Sequence, residues 1–167
     1  MPDKRDGFDR MAEVPVDPDI DLHVSGQRAE LTRTHGAALA AIAVGGGLGA
    51  LARYGLAQAI PVSPGRFPVA TFLTNVTGCL LIAVLMVLIT EVYRAHPLIR
   101  PFLGVGVLGG FTTFSAYADE VRDLLRPEWT ATGLAYLTGT VAAALAATWT
   151  GLALTRLATR RVRVRAA

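Results

Sequence analysis

Charge is what this sequence has least of. Only 17% of its 167 residues are Asp, Glu, Lys or Arg, against about a quarter in soluble domains. Four stretches, 36–52, 67–90, 101–118 and 129–155, hold no charged side chain at all. With 52% apolar residues and a mean hydropathy of +0.43, a soluble fold is excluded. Cysteine is nearly absent: Cys79 stands alone, so the chain forms no internal disulfide and offers no cysteine pair for zinc. The three histidines, His23, His35 and His96, fall in the tail or the connections, and no carboxylate lies within a charge-free run. Nucleophilic, zinc-dependent and paired-carboxylate chemistry lack their parts, so no enzyme is expected. The missing intramembrane carboxylate also weighs against a small proton-coupled four-span multidrug or cation transporter, which binds proton and cation alternately on such a group.

What is present is membrane-spanning length. Each charge-free run is near or above the roughly 20 apolar residues that cross a bilayer as helix. The first is expected to continue past Arg53 to about residue 60. The predicted fold is an all-α membrane protein of four transmembrane helices, multi-pass in a cell inner membrane or plasma membrane. Its connections are short, at 61–66, 91–100 and 119–128. Residues 1–35 hold eight of the thirteen acidic residues, three prolines and no apolar periodicity. They are expected to be a disordered polar tail and not a cleaved signal peptide. Residues 36–157 then form the four-helix unit. Residues 158–167 form a basic tail whose arginines suit the anionic inner leaflet of the lipid bilayer. A nucleic-acid partner is not expected.

Polar groups inside the runs are few and therefore informative. In 104–117, GVGVLGGFTTFSAY, the pair Gly109 and Gly110 precedes Thr112, Thr113 and Ser115. Membrane helices hide their backbone polar groups, so a glycine pair followed by hydroxyls predicts a third span broken near its middle. Exposed carbonyls and hydroxyls at that depth suit a small ion. Glycines would equally serve close helix packing. On the second span Thr71, Asn75, Gly78 and Ile82 share one helix face. The Asn75 amide there is either an anion donor or an interhelical clasp worth about 0.6–2 kcal/mol. Tyr136 and Thr140, one turn apart on the fourth span, extend the polar track. Arg53 sits near the end of the first span, as an anion-attracting vestibule group or an interfacial anchor.

These segments resemble a known family. GGGLGALARYGL at 45–56, FPVATFLTNVTGCLLIA at 67–83 and GVLGGFTTFSAY at 106–117 are similar, in order and spacing, to the three signatures of the CrcB/Fluc fluoride channels. The resemblance covers about residues 40–155. It implies an antiparallel dual-topology dimer with two fluoride pores, exporting fluoride passively to lower its cytoplasmic concentration. It also implies a structural sodium ion that is not transported. By the same resemblance the pore asparagine falls on Asn75 and the two pore aromatics on Phe114 and Tyr117, where phenylalanine is usual at the second position. The sodium-binding carbonyls fall on Gly109 and Thr112, the basic vestibule residue on Arg53, and the hydroxyl track on Tyr136 and Thr140. The chemistry agrees: a strongly hydrated anion needs neutral donors such as Thr71, Asn75, Ser115 and Tyr136, and the positive ring edges of Phe114 and Tyr117.

Basic residues are distributed unevenly about the four expected spans. Twelve lie in the N-terminal tail, the middle connection and the C-terminal end, and three, Arg66, Arg122 and Arg126, lie on the opposite side. This bias favours both termini in the cytoplasm. One sequence held in one orientation cannot supply its own inverted partner, so the choice between homodimer and heterodimer with an inverted homologous subunit falls on the heterodimer in the native cell. Reporters fused to the C-terminus and active on only one side of the membrane are expected to give signal predominantly from the cytoplasmic side. Equal signal from both sides would establish a dual-topology homodimer instead.

Overall fold

The computed structural model describes residues 25–93 and 95–166, with side chains between 36 and 160. The chain divides at Gly36, and the packing below is that of Ala37–Ala167. Among the described residues every regular element is helical. Helix α1 spans Ser25–Ala59 and stops where Pro61, two residues on, cannot continue it. A turn through Gly65, at φ 75°, leads to α2, Val69–Val87, which opens after Pro68 and runs on through a π-helical turn, Leu88–Val92. A second π-helical stretch, Arg100–Leu108, passes into α3, Gly109–Phe111. After two extended residues α4 follows, Phe114–Leu124, and then α5, Thr130–Ala166.

Among the described residues three helical segments are long and apolar enough to cross a membrane: Gly36–Ala59, Val69–Val92 and Thr130–Arg160. The chain is a multi-pass membrane protein. The expected third span is not a single helix, because it is cut at Thr112 and Thr113. The break comes later than the glycine pair. Gly109 keeps helical angles, φ −66° and ψ −37°, whereas Thr112 and Thr113 are extended. The glycines serve a different purpose. A Cβ on Gly110 would collide with the Gly46 backbone, and one on Gly49 with the Val107 carbonyl, so α1 and the broken helix cross backbone to backbone.

Three other boundaries differ from expectation. Helix α1 begins at Ser25, inside the expected tail, while residues 1–24 lie outside the described residues. The 119–128 connection is largely helix, since α4 continues to Leu124 and only Leu125 to Trp129 connect it to α5. Helix α5 runs through the expected basic tail to Ala166, because its Arg, Ala and Leu residues favour helix and no Gly or Pro stops it.

Helices α2 and α5 pack extensively against each other. Between α4 and α5 lies a small core of Tyr117, Val121, Leu124 and Tyr136, flanked by Phe67, Phe72, Trp129 and Leu137. Most other apolar surface faces outward: only 11% of the apolar window of α1 and 22% of that of α2 is buried. Surface of this kind needs lipid or another protein against it. At one end of the bundle Arg156 reaches Glu91 at 2.8 Å, tying α5 to the turn after α2. Both partners are substantially exposed, so the pair contributes at most about 1 kcal/mol.

Candidate functional site

The break in the third segment is made by side chains. Asn75 on α2 donates from Nδ2 to the Thr113 carbonyl at 2.9 Å and accepts from the Thr113 N–H on Oδ1 at 2.8 Å. The amide thus takes over both backbone groups of one residue. Thr113 then caps α4, its Oγ1 accepting from Ala116 N at 3.2 Å. In an uninterrupted helix the Thr113 N–H would serve the Gly109 carbonyl and the Ala116 N–H the Thr112 carbonyl. Both donors are diverted, so the carbonyls of Gly109 and Thr112 are released from the helix ladder. A third carbonyl in the same stretch, that of Gly110, accepts from Arg53 Nε at 3.2 Å. Unpaired backbone groups at this depth each cost several kcal/mol, so the break persists because side chains answer for it.

A cavity of about 340 Å³ opens beside the break, lined among others by Asn75, Gly78, Cys79, Gly109, Thr112 and Phe114. Its walls are mostly apolar. Asn75 Nδ2 carries two hydrogens and spends one on Thr113, which leaves a second N–H for a ligand. Gly78 brings bare backbone against the Thr112 side chain, so that part of α2 packs flush with the break. Gly109 and Thr112 both line the cavity, and their released carbonyls are hard oxygen donors of the kind sodium takes. The donor chemistry fits such an ion, although one chain supplies only this pair.

A second polar cluster lies toward the connections. Glu120 accepts from Thr71 Oγ1 on Oε1 at 2.7 Å and from the Tyr136 hydroxyl on Oε2 at 2.6 Å. Aromatic rings join the two places. Phe114 lies 5.9 Å from Tyr117 between ring centres, Tyr117 lies 5.2 Å from Tyr136, and Tyr136 meets Phe67 edge-on at 5.1 Å. Phe114 is 80% exposed at one end of this row, and Tyr136, within it, is fully buried. The hydroxyl of Tyr117 donates to the Leu137 carbonyl at 2.7 Å. Thr140, one turn beyond Tyr136, is buried and its Oγ1 has no partner. Elsewhere on α5, Thr138 and Thr148 return their hydroxyls to carbonyls four residues back at 2.8 and 2.9 Å.

Asn75, Gly109, Thr112 and Phe114 therefore surround one cavity, Thr71 and Tyr136 converge on Glu120, and Tyr117 bridges the two groups. Ser115 is apart from both: it is exposed, and among the described residues its hydroxyl pairs with Thr113 Oγ1 at 3.4 Å. Arg53 is committed to a backbone carbonyl at the break. Two residues escape a reading of the sequence. Glu120, expected in the 119–128 connection, lies on helix α4 and accepts hydrogen bonds from α2 and α5. The signal that locates it is the helical spacing of Tyr117, Glu120, Val121 and Leu124. Thr113 is identified by its position immediately before a helix, the place where Thr caps.

Residues 40–152 match the family described as CrcB-like protein, Camphor Resistance (CrcB). The chain belongs to the CrcB-like protein family. It is similar to a protein of Nocardia farcinica named fluoride-specific ion channel FluC 2, at 54% identity over 127 residues, which cover 76% of this chain and 91% of that protein. It is also similar to fluoride-specific ion channel FluC 1 of Streptomyces coelicolor, at 53% identity over 117 residues, 70% of this chain and 76% of that one. A more distant relative, fluoride-specific ion channel FluC of Solibacter usitatus, is 46% identical over 116 residues, 69% of this chain and 95% of that one. Both clusters of the site lie within the CrcB-like match, from Arg53 to Thr140.

Within this CrcB-like site the Tyr117 hydroxyl is spent on α5 and the ring edge remains available. Tyr117→Phe is expected to lower unfolding stability by about 0.5–1.5 kcal/mol, the net worth of one hydrogen bond, and to leave ion flux unchanged. Thermal unfolding in detergent and flux in vesicles measure the two effects separately. Loss of flux at unchanged stability would show that the hydroxyl serves the ion.

Proposed function

We propose that this chain is a subunit of a fluoride-selective channel that lets fluoride leave the cell passively. The activity is transport and not catalysis. The observation that carries the reading is the Thr140 hydroxyl, buried without a hydrogen-bond partner among the described residues, one turn from Tyr136 in the row of ring edges that begins at Phe114. A small anion supplies the acceptor that this hydroxyl lacks. The relatives' name, fluoride-specific ion channel, identifies the anion. Fluoride needs such a route because hydrogen fluoride enters cells as a neutral acid and ionises inside.

On this reading fluoride passes from the cavity beside Asn75, along the edges of Phe114 and Tyr117, to Thr71, Tyr136 and Thr140. Each hydroxyl has one proton to give. Those of Thr71 and Tyr136 are held by Glu120, so the anion advances by competing with a carboxylate for the same donors. The competition guards against a trap, since a site that releases its donors to Glu120 also releases fluoride. Fixed charge enters as Arg53, whose guanidinium braces the break near the cavity.

The broken segment serves as the third of four spans, and the outward-facing Phe114 and cavity receive a second, inverted copy or an inverted homologous subunit. Two pairs of released carbonyls, from Gly109 and Thr112 of each subunit, would then hold a structural sodium ion that neutralises their partial charge and is not transported. The surroundings are the lipid bilayer of the inner or plasma membrane. Glu120 supplies the carboxylate that a proton-coupled cation transporter requires, so this rival is decided by flux and by the relatives' names and no longer by a missing acid.

Purified protein in liposomes is expected to release fluoride and to retain chloride. Release of both ions, or of neither, would overturn the reading. Phe114→Ile keeps apolar bulk and removes the ring edge, so fluoride flux should fall at least about ten-fold. Asn75→Asp puts a negative charge beside the path, a repulsion of about 4 kcal/mol at contact distance with a protein-like effective dielectric, and should abolish flux.

A further inference from the structure

The polar cluster has a second opening. A cavity of about 450 Å³ is lined by Ser63, Gly65 and Arg66 from the turn between α1 and α2, by Glu120 and Asp123 from α4, and by Arg126 and Trp129 before α5. Its inner wall is therefore the same Glu120 that binds Thr71 and Tyr136. At Gly65 the backbone takes φ 75°, and a Cβ there would strike the Trp129 indole, so only glycine lets the turn close over this ring.

The groups facing this cavity divide by what they have left to give. Its acceptors are engaged: Glu120 by two hydroxyls, and Asp123 by Arg122 at 3.4 Å and Arg126 at 4.0 Å. Its donors are not. Among the described residues the Arg66 guanidinium forms no ion pair, and neither the Trp129 indole N–H nor the Ser63 hydroxyl donates a side-chain hydrogen bond. Arg66 and Trp129 can only donate, and Ser63 has a hydroxyl proton to give, so the three together suit an anion arriving from water. Salt weakens such attraction, because exposed charges are screened within a Debye length.

We infer that this cavity is the anion-receiving mouth of the polar track, with Arg66 as its collecting charge and Trp129 and Ser63 as neutral donors, and that its ligand is an inorganic anion. The identity of the anion as fluoride rests on the function proposed above; the mouth itself rests on the cavity and its uncommitted donors.

Trp149→Phe leaves Trp129 as the single tryptophan, since the chain has two and Trp149 is 73% exposed on the outer face of α5. In this background the anion iodide should quench Trp129 fluorescence more strongly than the cation caesium at low ionic strength. Arg66→Gln should lower iodide quenching about two- to three-fold, the effect of one unit charge a few ångströms away in water, and leave quenching by neutral acrylamide unchanged. Arg66→Lys should restore it, and Asp123→Asn should raise it. With fluoride in vesicles, Arg66→Gln should reduce flux at low salt, and the difference should vanish at high salt. Iodide quenching that ignores Arg66→Gln overturns the mouth, whether or not fluoride flows. Iodide quenching that responds in a protein that passes no fluoride supports the mouth and overturns the fluoride reading alone.

Discussion

One asparagine opposite one threonine sets the conditions for everything else in the bundle. The Asn75 amide presents donor and acceptor in the spacing of a backbone peptide, and the N–H and carbonyl of Thr113 answer both at hydrogen-bond distance. A helix interrupted without that substitute would leave two backbone groups bare among apolar neighbours, at several kcal/mol each. Once the amide is in place, Thr113 is free to cap α4, and α4 starts in a new direction that carries Phe114, Tyr117 and Glu120 on successive turns. The carbonyls of Gly109 and Thr112 lose their donors in the same event. The features that suit an anion and those that suit a cation therefore have one cause.

The second constraint is the small number of protons available. Thr71 and Tyr136 give theirs to Glu120, Tyr117 gives its own to Leu137, and Thr140 gives its proton to nothing among the described residues. In a membrane protein a helical hydroxyl away from water has an easy solution, the carbonyl four residues back, which Thr138 and Thr148 adopt. Thr140 does not take it. An unused donor next to donors that can be released is what a conduction path for a strongly hydrated anion requires, since it offers partners without holding the ion fast.

How much of this was visible in the sequence follows from which forces act over which distance. The bilayer imposes length and apolarity directly, so three long helices were legible as charge-free runs. The broken segment was legible as a kind of feature but not in its position. Gly109 and Gly110 tolerate both helix and break, and they are used instead to let α1 approach, while the break waits for the residue that Asn75 can reach from another helix. That contact is tertiary, and periodicity along one helix cannot choose between a clasp and a donor. Here the amide forms the clasp and keeps a further N–H. Glu120 was hidden by the same rule that found the spans, because treating charge as the end of a membrane helix misplaces a carboxylate held by hydroxyls from two neighbours. The shared face of Thr71, Asn75 and Gly78 was readable because α2 is regular there.

The central claim is that the clasp both breaks the helix and supports conduction, and amide hydrogen exchange at Thr113, followed with fluoride efflux on the same preparations, tests it directly. In the wild-type protein the Thr113 N–H should be strongly protected. In Asn75→Val it should exchange much faster while amides within α2 and α5 keep their protection, and fluoride efflux should be lost with it. A Thr113 amide equally protected in Asn75→Val, with efflux intact, would contradict the account.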